Sequence, residues 1–324
     1  MSTQMTASPN EFSLIERFFS DTGKSRFAVT LAQGDDAAIV EVPAGMQAVM
    51  SLDTLISGIH FPQQTNAADI AHKALAVNLS DLAAMAATPA WFLLSISLPD
   101  FDEDWLRQFS TSLKHISDQY RIQLIGGDTC RGPLSITVQV TGLVAKDQYV
   151  SRSGACIGDL IIVSGKLGDA ALGLAHLQNR IELPDSLIQP CVNALNRPTP
   201  RLELIDFLTS YASAAIDLSD GLVGDLRHIL DRSQVGATIR RDDLPVNDWI
   251  RQQDVYDFAL GGGDDYELCF TISSRHRVAI EEWNRQQAEC KLSVIGEITP
   301  KDYQLVDSQR VVDLNNWQGY RHFE

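Results

Sequence analysis

Apolar side chains recur at helical spacing along three stretches of the first half of this chain. Over residues 11–20, Phe12, Ile15, Phe18 and Phe19 share one side, which predicts a short amphipathic helix. Over residues 66–87, Ile70, Ala74, Val77 and Leu82 form a stripe, so a long helix is expected, with Pro89 as its terminator. Over residues 102–120, Trp105, Phe109, Leu113 and Ile116 predict a third. Residues 37–42, 48–52 and 92–98 read as strands. Residues 123–125 and 134–144 read as two more, around a glycine-rich turn.

The alternation then restarts. Residues 159–164 read as a strand that turns through Gly165-Lys166-Leu167-Gly168 into a helix over 169–178. Pro184, Pro190, Pro198 and Pro200 predict a loop-rich stretch, followed by a strand over 214–218 and a helix over 219–232. Two successive runs of strands and helices give an α+β chain of two α/β domains, 1–148 and 149–324. Length agrees, because 324 residues at roughly 150 per domain make two.

Charge narrows the partners. Asp and Glu number 42 against 26 Lys and Arg, a net charge of −16, which repels nucleic acid and anionic membranes. The five cysteines show no C-x₂-C spacing, so a zinc cluster is not expected; wide spacing suits buried thiols in a reducing compartment. The first ten residues lack the layout of a signal peptide, and no apolar run approaches the roughly 18 residues of a membrane span. A cytoplasmic protein is expected.

The aspartates carry the candidate chemistry. Asp35 and Asp36 follow Gly34 just ahead of a predicted strand, and Asp53 falls at the end of another. Asp128 follows Gly126-Gly127, and Asp217 and Asp220 flank a predicted strand-to-helix junction. Loops after strands are where α/β proteins place ligands. Mg²⁺ takes oxygen ligands, commonly one or two carboxylates plus substrate phosphates. Each Asp also has a plain structural reading, as an N-cap or a turn residue. Asp81 is harder to read that way, since it lies mid-helix among apolar residues, three after Asn78, where a carboxylate needs a partner. Lys73 is a candidate to pair with Asp81 or with Asn78.

Glycine-rich segments suggest what the carboxylates face. Gly126-Gly127-Asp128-Thr129 offers backbone that a phosphate can approach, and Ser219-Asp220-Gly221 is read as a helix start, where bare N–H groups favour an anion. Neither is a Walker A loop, and no G-x-G-x-x-G opens a helix after a strand, which argues against P-loop and dinucleotide enzymes.

Taken in order, these segments resemble the thiamine-monophosphate kinases, which belong with aminoimidazole ribonucleotide synthetase and selenophosphate synthetase in one ATP-using superfamily. The resemblance is carried by Gly34-Asp35-Asp36-Ala37-Ala38, Ser51-Leu52-Asp53-Thr54, Gly58-Ile59-His60-Phe61 and the run from Lys73 to Asp81. It continues through Ile125-Gly126-Gly127-Asp128-Thr129, Ser151-Arg152-Ser153-Gly154, the run from Ala215 to Leu222 and the run from Gly261 to Leu268. It implies an ATP-dependent phosphotransferase of the aminoimidazole ribonucleotide synthetase type, a homodimer paired through its N-terminal domain sheets. The substrates would be ATP and thiamine monophosphate, with several Mg²⁺ ions. The resemblance assigns Mg²⁺ to Asp36, Ser51, Leu52, Asp53, Asp81, Asp128, Asp217 and Asp220. It assigns ATP contacts to Gly127, Asp128, Arg152 and Ser219, and thiamine monophosphate contacts to His60, Asp264 and a C-terminal aromatic, Phe323, with Trp317 and Tyr320 nearby.

Two positions depart from the family pattern. Leu52 stands where the family commonly has Thr, leaving only its backbone carbonyl as a ligand. Asp264 stands where the family usually has Glu, so its reach is one methylene shorter. None of the cysteines sits in a glycine-rich N-terminal loop, which argues against a selenophosphate synthetase. A metal-binding protein without turnover would use the same aspartates, but the glycine-rich loops favour phosphates.

Overall fold

The structure is a computed structural model that describes residues 14, 17–20, 22, 23, 28–307 and 311–314. It divides into two compact units, Met1–Asn78 with Pro89–Leu143, and Leu79–Thr88 with Val144–Glu324.

The first unit begins with β1 (Val29–Leu31) and β2 (Ile39–Val40), paired antiparallel. Then come β3 (Met46–Ile56), α1 (Ala67–Ala84, which belongs to the second unit from Leu79 on), β4 (Thr88–Leu98), α2 (Glu103–Gln119), β5 (Gln123–Arg131) and β6 (Ser135–Ala145). The larger sheet has the order β3-β6-β4-β5, so β3 and β5 are its edges. Asp102 caps α2 by accepting the Asp104 and Trp105 N–H groups at 3.0 Å, and Leu106, Phe109, Leu113 and Ile116 form its buried face. Of the helix expected over 11–20, residues 17–19 are helical; Phe12 and Ile15 lie outside the described residues.

Pro89 does not end α1. The helix closes on itself at Ala86, which takes φ +54 while the Ala87 N–H reaches the Leu82 carbonyl at 2.8 Å, a Schellman closure. Pro89 instead lies in β4. β3 runs four residues past the expected end, since Thr54 and Ile56 are β-branched strand formers. Asp53 is therefore inside a strand. β2 is shorter than expected, only Ile39–Val40. The glycine-rich turn is absent. Gly126 and Gly127 lie within β5, opposite Leu93 and Leu94, and the chain bends at 132–134.

The second unit runs through β7 (Asp159–Ser164), α3 (Asp169–Leu177), α4 (Asp185–Asn196), α5 (Ile205–Tyr211), β8 (Ala212–Asp217), α6 (Leu222–Ser233) and β9 (Gly236–Arg240). It continues with α7 (Asp248–Gln253), α8 (Asp257–Leu260), β10 (Leu268–Ser273), α9 (Arg277–Gln286), β11 (Leu292–Thr299), β12 (Tyr303–Val306) and β13 (Val311–Asp313). The sheet order is β13-β12-β9-β11-β7-β10-β8, with β12 and β9 parallel and β7 antiparallel to both its neighbours. Central β7 is buried on both faces. Ile161 and Val163 join a core with Leu226 and Ile229 of α6, while Leu160 and Ile162 join another with Phe207, Leu208 and Ile280.

The stretch expected to be loop-rich holds α4 instead. Pro184 sits at its N-cap and Pro198 beyond its end, where proline is tolerated, so two of the four prolines bracket a helix. Cys191 and Leu195 are buried from it, and Gly173 of α3 lets the two backbones meet at Cys191. Cys191, Cys269 and Cys290 are buried as expected; Cys130, near the end of an edge strand, and Cys156, in a loop, are exposed.

Candidate functional site

Each unit carries its own share of the sequence-nominated residues. In the first, Asp35 and Asp36 are exposed in the turn ahead of β2, where the Asp36 N–H donates to Asp35 Oδ1 at 2.9 Å. Ser51 and Asp53 lie two apart on β3 and so share a face; Leu52 points to the other and is 59% exposed. Gly127 and Asp128 are exposed on β5. Asp53 and Asp128 thus occupy opposite edge strands of one sheet rather than adjacent loops.

His60 sits in the turn after β3. Its Nδ1 accepts the Ile56 N–H at 3.0 Å, so the neutral ring carries its proton on Nε2. Buried Lys73 donates from Nζ to the His60 carbonyl at 3.2 Å, and the Asn78 amide donates to the Ala74 carbonyl at 3.0 Å.

The second unit gathers more. Asp217 ends β8, buried, opposite Leu268. The pairing continues past the strands. Leu218 N–H donates to the Glu267 carbonyl at 2.8 Å, Tyr266 N–H to the Leu218 carbonyl at 2.8 Å, and Asp264 N–H to the Ser219 carbonyl at 2.9 Å. Segments 217–220 and 264–267 are thereby laced together. Helix α6 starts at Leu222, so Ser219 and Asp220 precede it instead of opening it. The reason is Gly221, at φ +104, whose missing Cβ makes room for Gly261 and Gly262. Asp81 lies half-buried in the part of α1 that belongs to this unit. Phe323, Trp317 and Tyr320 lie outside the described residues.

Asp225, in the first turn of α6, adds a carboxylate that the sequence reading passed over. Its Oδ2 accepts the Asp220 N–H at 2.9 Å. Burial pushes its pKa up to about 7; the Asp220 charge adds to this, while the Asp220 N–H and the Arg152 charge oppose it. Arg152, exposed in the loop before β7, therefore belongs to the same electrostatic neighbourhood. Asp265 is half-buried, and its carboxylate accepts the Gly168 N–H at 3.0 Å. Burial raises its pKa well above the ordinary range, and the charges of Glu267, Asp169 and Asp264 push the same way.

The comparisons with known proteins give this arrangement a family. The AIR synthase related protein N-terminal domain profile matches residues 34–144, and the corresponding C-terminal domain profile matches residues 157–307. The thiamine-monophosphate kinase of Escherichia coli K12 is 44% identical over 97% of this chain and 98% of its own length. This chain belongs to the thiamine-monophosphate kinase family. The solved thiamine-monophosphate kinase of Stenotrophomonas maltophilia K279a superposes with a TM-score of 0.82 at 43% identity, covering 89% of this chain and 93% of that one. A structure of AaThiL complexed with AMPPCP and TMP superposes with a TM-score of 0.75 at 30% identity, covering 89% and 91%.

In this family member, the described residues contain no group of three His, Cys, Asp or Glu side chains placed to hold a metal ion. The nominated donors are carboxylate, hydroxyl and carbonyl oxygens, the hard set that suits Mg²⁺. One or two carboxylates per ion, completed by phosphate oxygens and water, is the usual Mg²⁺ arrangement and requires no cage of three. The donor chemistry therefore fits the ion.

Asp225 also makes a measurable pH prediction. Its folded pKa lies above its unfolded one, so the native state holds the extra proton between about pH 4 and 7. Its contribution then falls as pH rises through that window and is least favourable above it. Asp225→Asn keeps an oxygen acceptor for the Asp220 N–H without the charge. In metal-free protein it is expected to raise Tm at pH 8 and to leave it near the parental value at pH 4. Scanning calorimetry at both pH values checks this; an equal shift at both would overturn it.

Proposed function

We propose that the chain transfers the γ-phosphoryl group of ATP to the phosphate of thiamine monophosphate, giving thiamine diphosphate and ADP. The observation that carries this is likeness along nearly the whole chain to a curated thiamine-monophosphate kinase. The relative solved with AMPPCP and TMP supports the substrate pair.

The acceptor is a phosphate oxygen, already nucleophilic at neutral pH, so no covalent intermediate is needed. Repulsion between two anions is the obstacle, and positioning with electrostatic stabilisation is the remedy. Mg²⁺, when bound, would supply the neutralising charge. Asp36, Ser51, Asp53, Asp81, Asp128, Asp217 and Asp220 are its proposed ligands, with the Leu52 carbonyl. Asp128 and Asp217 are the most critical. Gly127, Asp128, Arg152 and Ser219 are proposed to contact ATP, Arg152 adding a fixed positive charge. His60, through its Nε2–H, is the proposed donor to thiamine monophosphate. Asp264 would face the cationic thiazolium and Phe323 would stack on it.

The proposed domains are 1–148, for ATP and Mg²⁺ binding and dimerisation, and 149–324. Met50, Leu52 and Ile56 expose apolar side chains on one face of edge strand β3, which supports a homodimer paired through this sheet. No helix among the described residues is long and apolar enough to cross a membrane. The location proposed for the chain is the cytoplasm.

Purified protein incubated with ATP, Mg²⁺ and thiamine monophosphate is expected to form thiamine diphosphate and ADP in equal amounts. Chromatography of the products decides. ADP without thiamine diphosphate would show that the acceptor is another molecule.

A further inference from the structure

Glu267, at the junction of the laced loops and β10, is buried, and its carboxylate is held from two sides. Arg201 donates to it through Nε at 2.7 Å and Nη2 at 2.5 Å, and Ser164 donates from Oγ at 2.5 Å. Ser164 Oγ also accepts the Leu268 N–H at 2.8 Å. Burial alone would push the Arg201 pKa down, but Glu267 more than offsets it, so the guanidinium stays charged. Gly165 belongs to the same arrangement, because a Cβ there would overlap the Glu267 carboxylate.

What this pair holds is a strained segment. Asp264 and Tyr266 both take left-handed backbone, φ +69 and φ +49, which non-glycine residues adopt reluctantly. The segment bonds to 218–219 through the Asp264 and Tyr266 N–H groups and the Glu267 carbonyl. A buried ion pair is seldom the most stabilising filling for its volume. A two-pronged guanidinium–carboxylate contact does fix orientation, which a lysine cannot do.

We propose that Arg201 and Ser164 are positioning residues. Acting through Glu267, they hold the strained 264–266 segment and, by the lacing, the 217–220 loop in the arrangement that phosphoryl transfer requires. This rests on the function proposed above, and neither residue touches substrate in it.

The test uses the full chain and the variants Arg201→Met, Arg201→Lys and Ser164→Ala. Hydrogen–deuterium exchange is followed by mass spectrometry in peptides covering 215–222 and 262–268. In Arg201→Met those peptides are expected to exchange faster, while peptides elsewhere keep parental rates. Its kcat is expected to fall roughly tenfold to a hundredfold, the usual effect of losing a group that orients a site, at temperatures where the variant is fully folded. The KM values for both substrates stay near parental. Arg201→Lys keeps the charge but not the fork, so it is expected to recover Tm without recovering kcat.

Parental exchange in both segments, or a kcat that recovers with Tm in Arg201→Lys, would overturn the proposal. If Arg201→Met fails to fold, Ser164→Ala decides by the same exchange and kcat readouts, with a smaller loss expected. If the parent forms no thiamine diphosphate, the functional reading fails by itself, and the exchange experiment still decides whether the clamp orders these segments.

Discussion

Asp217→Asn is expected to lower turnover by roughly a hundredfold to a thousandfold, the usual loss when one preorganised electrostatic group leaves a reaction centre. The variant suits the question because the position is fixed independently of the charge. Asp217 is the last residue of β8, paired opposite Leu268, and the next residue bonds straight back to the Glu267 carbonyl. Asparagine has nearly the same shape, so the backbone has no reason to move. Circular dichroism is expected to be parental, since the backbone pairing that places residue 217 does not involve its side chain. Asp128→Asn is expected to lose activity similarly. Its side chain is exposed on β5, so Tm is expected not to move at all. Both variants are assayed for thiamine diphosphate across a Mg²⁺ titration. A higher Mg²⁺ requirement with low turnover supports the ligand assignment; parental turnover and parental Mg²⁺ dependence in both would remove it.

How far the sequence reached depended on how local the cause was. β7 was legible to the residue, because its apolar run stands between turn residues and every side chain in it is buried. Helix α2 was legible because Asp102 caps it and its apolar residues keep helical spacing. The ends that failed were decided elsewhere. Helix α1 stops through a left-handed Ala86 that no propensity announces, and α6 starts after Asp220 because Gly221 is packed under Gly261 and Gly262. Prolines suggested a loop where two of them bracket α4, since bracketing and interrupting look alike in one dimension.

The site divides along the same line. Among the candidate residues, Asp217 and Ser219 were singled out by a strand end ahead of a glycine and Asp264 by the family resemblance alone, and the structure laces their segments together. Asp225 carried only the signal of an acidic residue in a first helical turn, the commonest place for one. Glu267 lay in a segment already singled out, but its partner Arg201 is 66 residues away and nothing near Arg201 announces it. A long-range ion pair leaves no periodic trace, so residues that support a site are harder to read than those that form it.

Gly127→Ala is the other change with a large expected effect, and it separates two reasons for a glycine at one position. The sequence suggested that Gly127 keeps backbone open to a phosphate. The structure adds an internal requirement. Gly127 takes φ +156 on β5, and a Cβ built there would overlap the carbonyl oxygen of Leu94 on β4. That carbonyl belongs to the backbone of a neighbouring strand in the same sheet, so it cannot swing aside as a long side chain would. Relief requires β5 to lift from β4 beside Asp128. Overpacking with backbone strain is expected to cost about 3 kcal/mol, a Tm lowered by about 4 °C for a protein of this size. If openness to phosphate were the only reason for the glycine, Gly127→Ala would keep its Tm and lose only ATP affinity. A large Tm loss without ATP, measured by calorimetry, therefore assigns the glycine to strand packing first. Parental Tm with weakened ATP binding would show that the sheet tolerates a side chain there and that the phosphate alone demands the glycine.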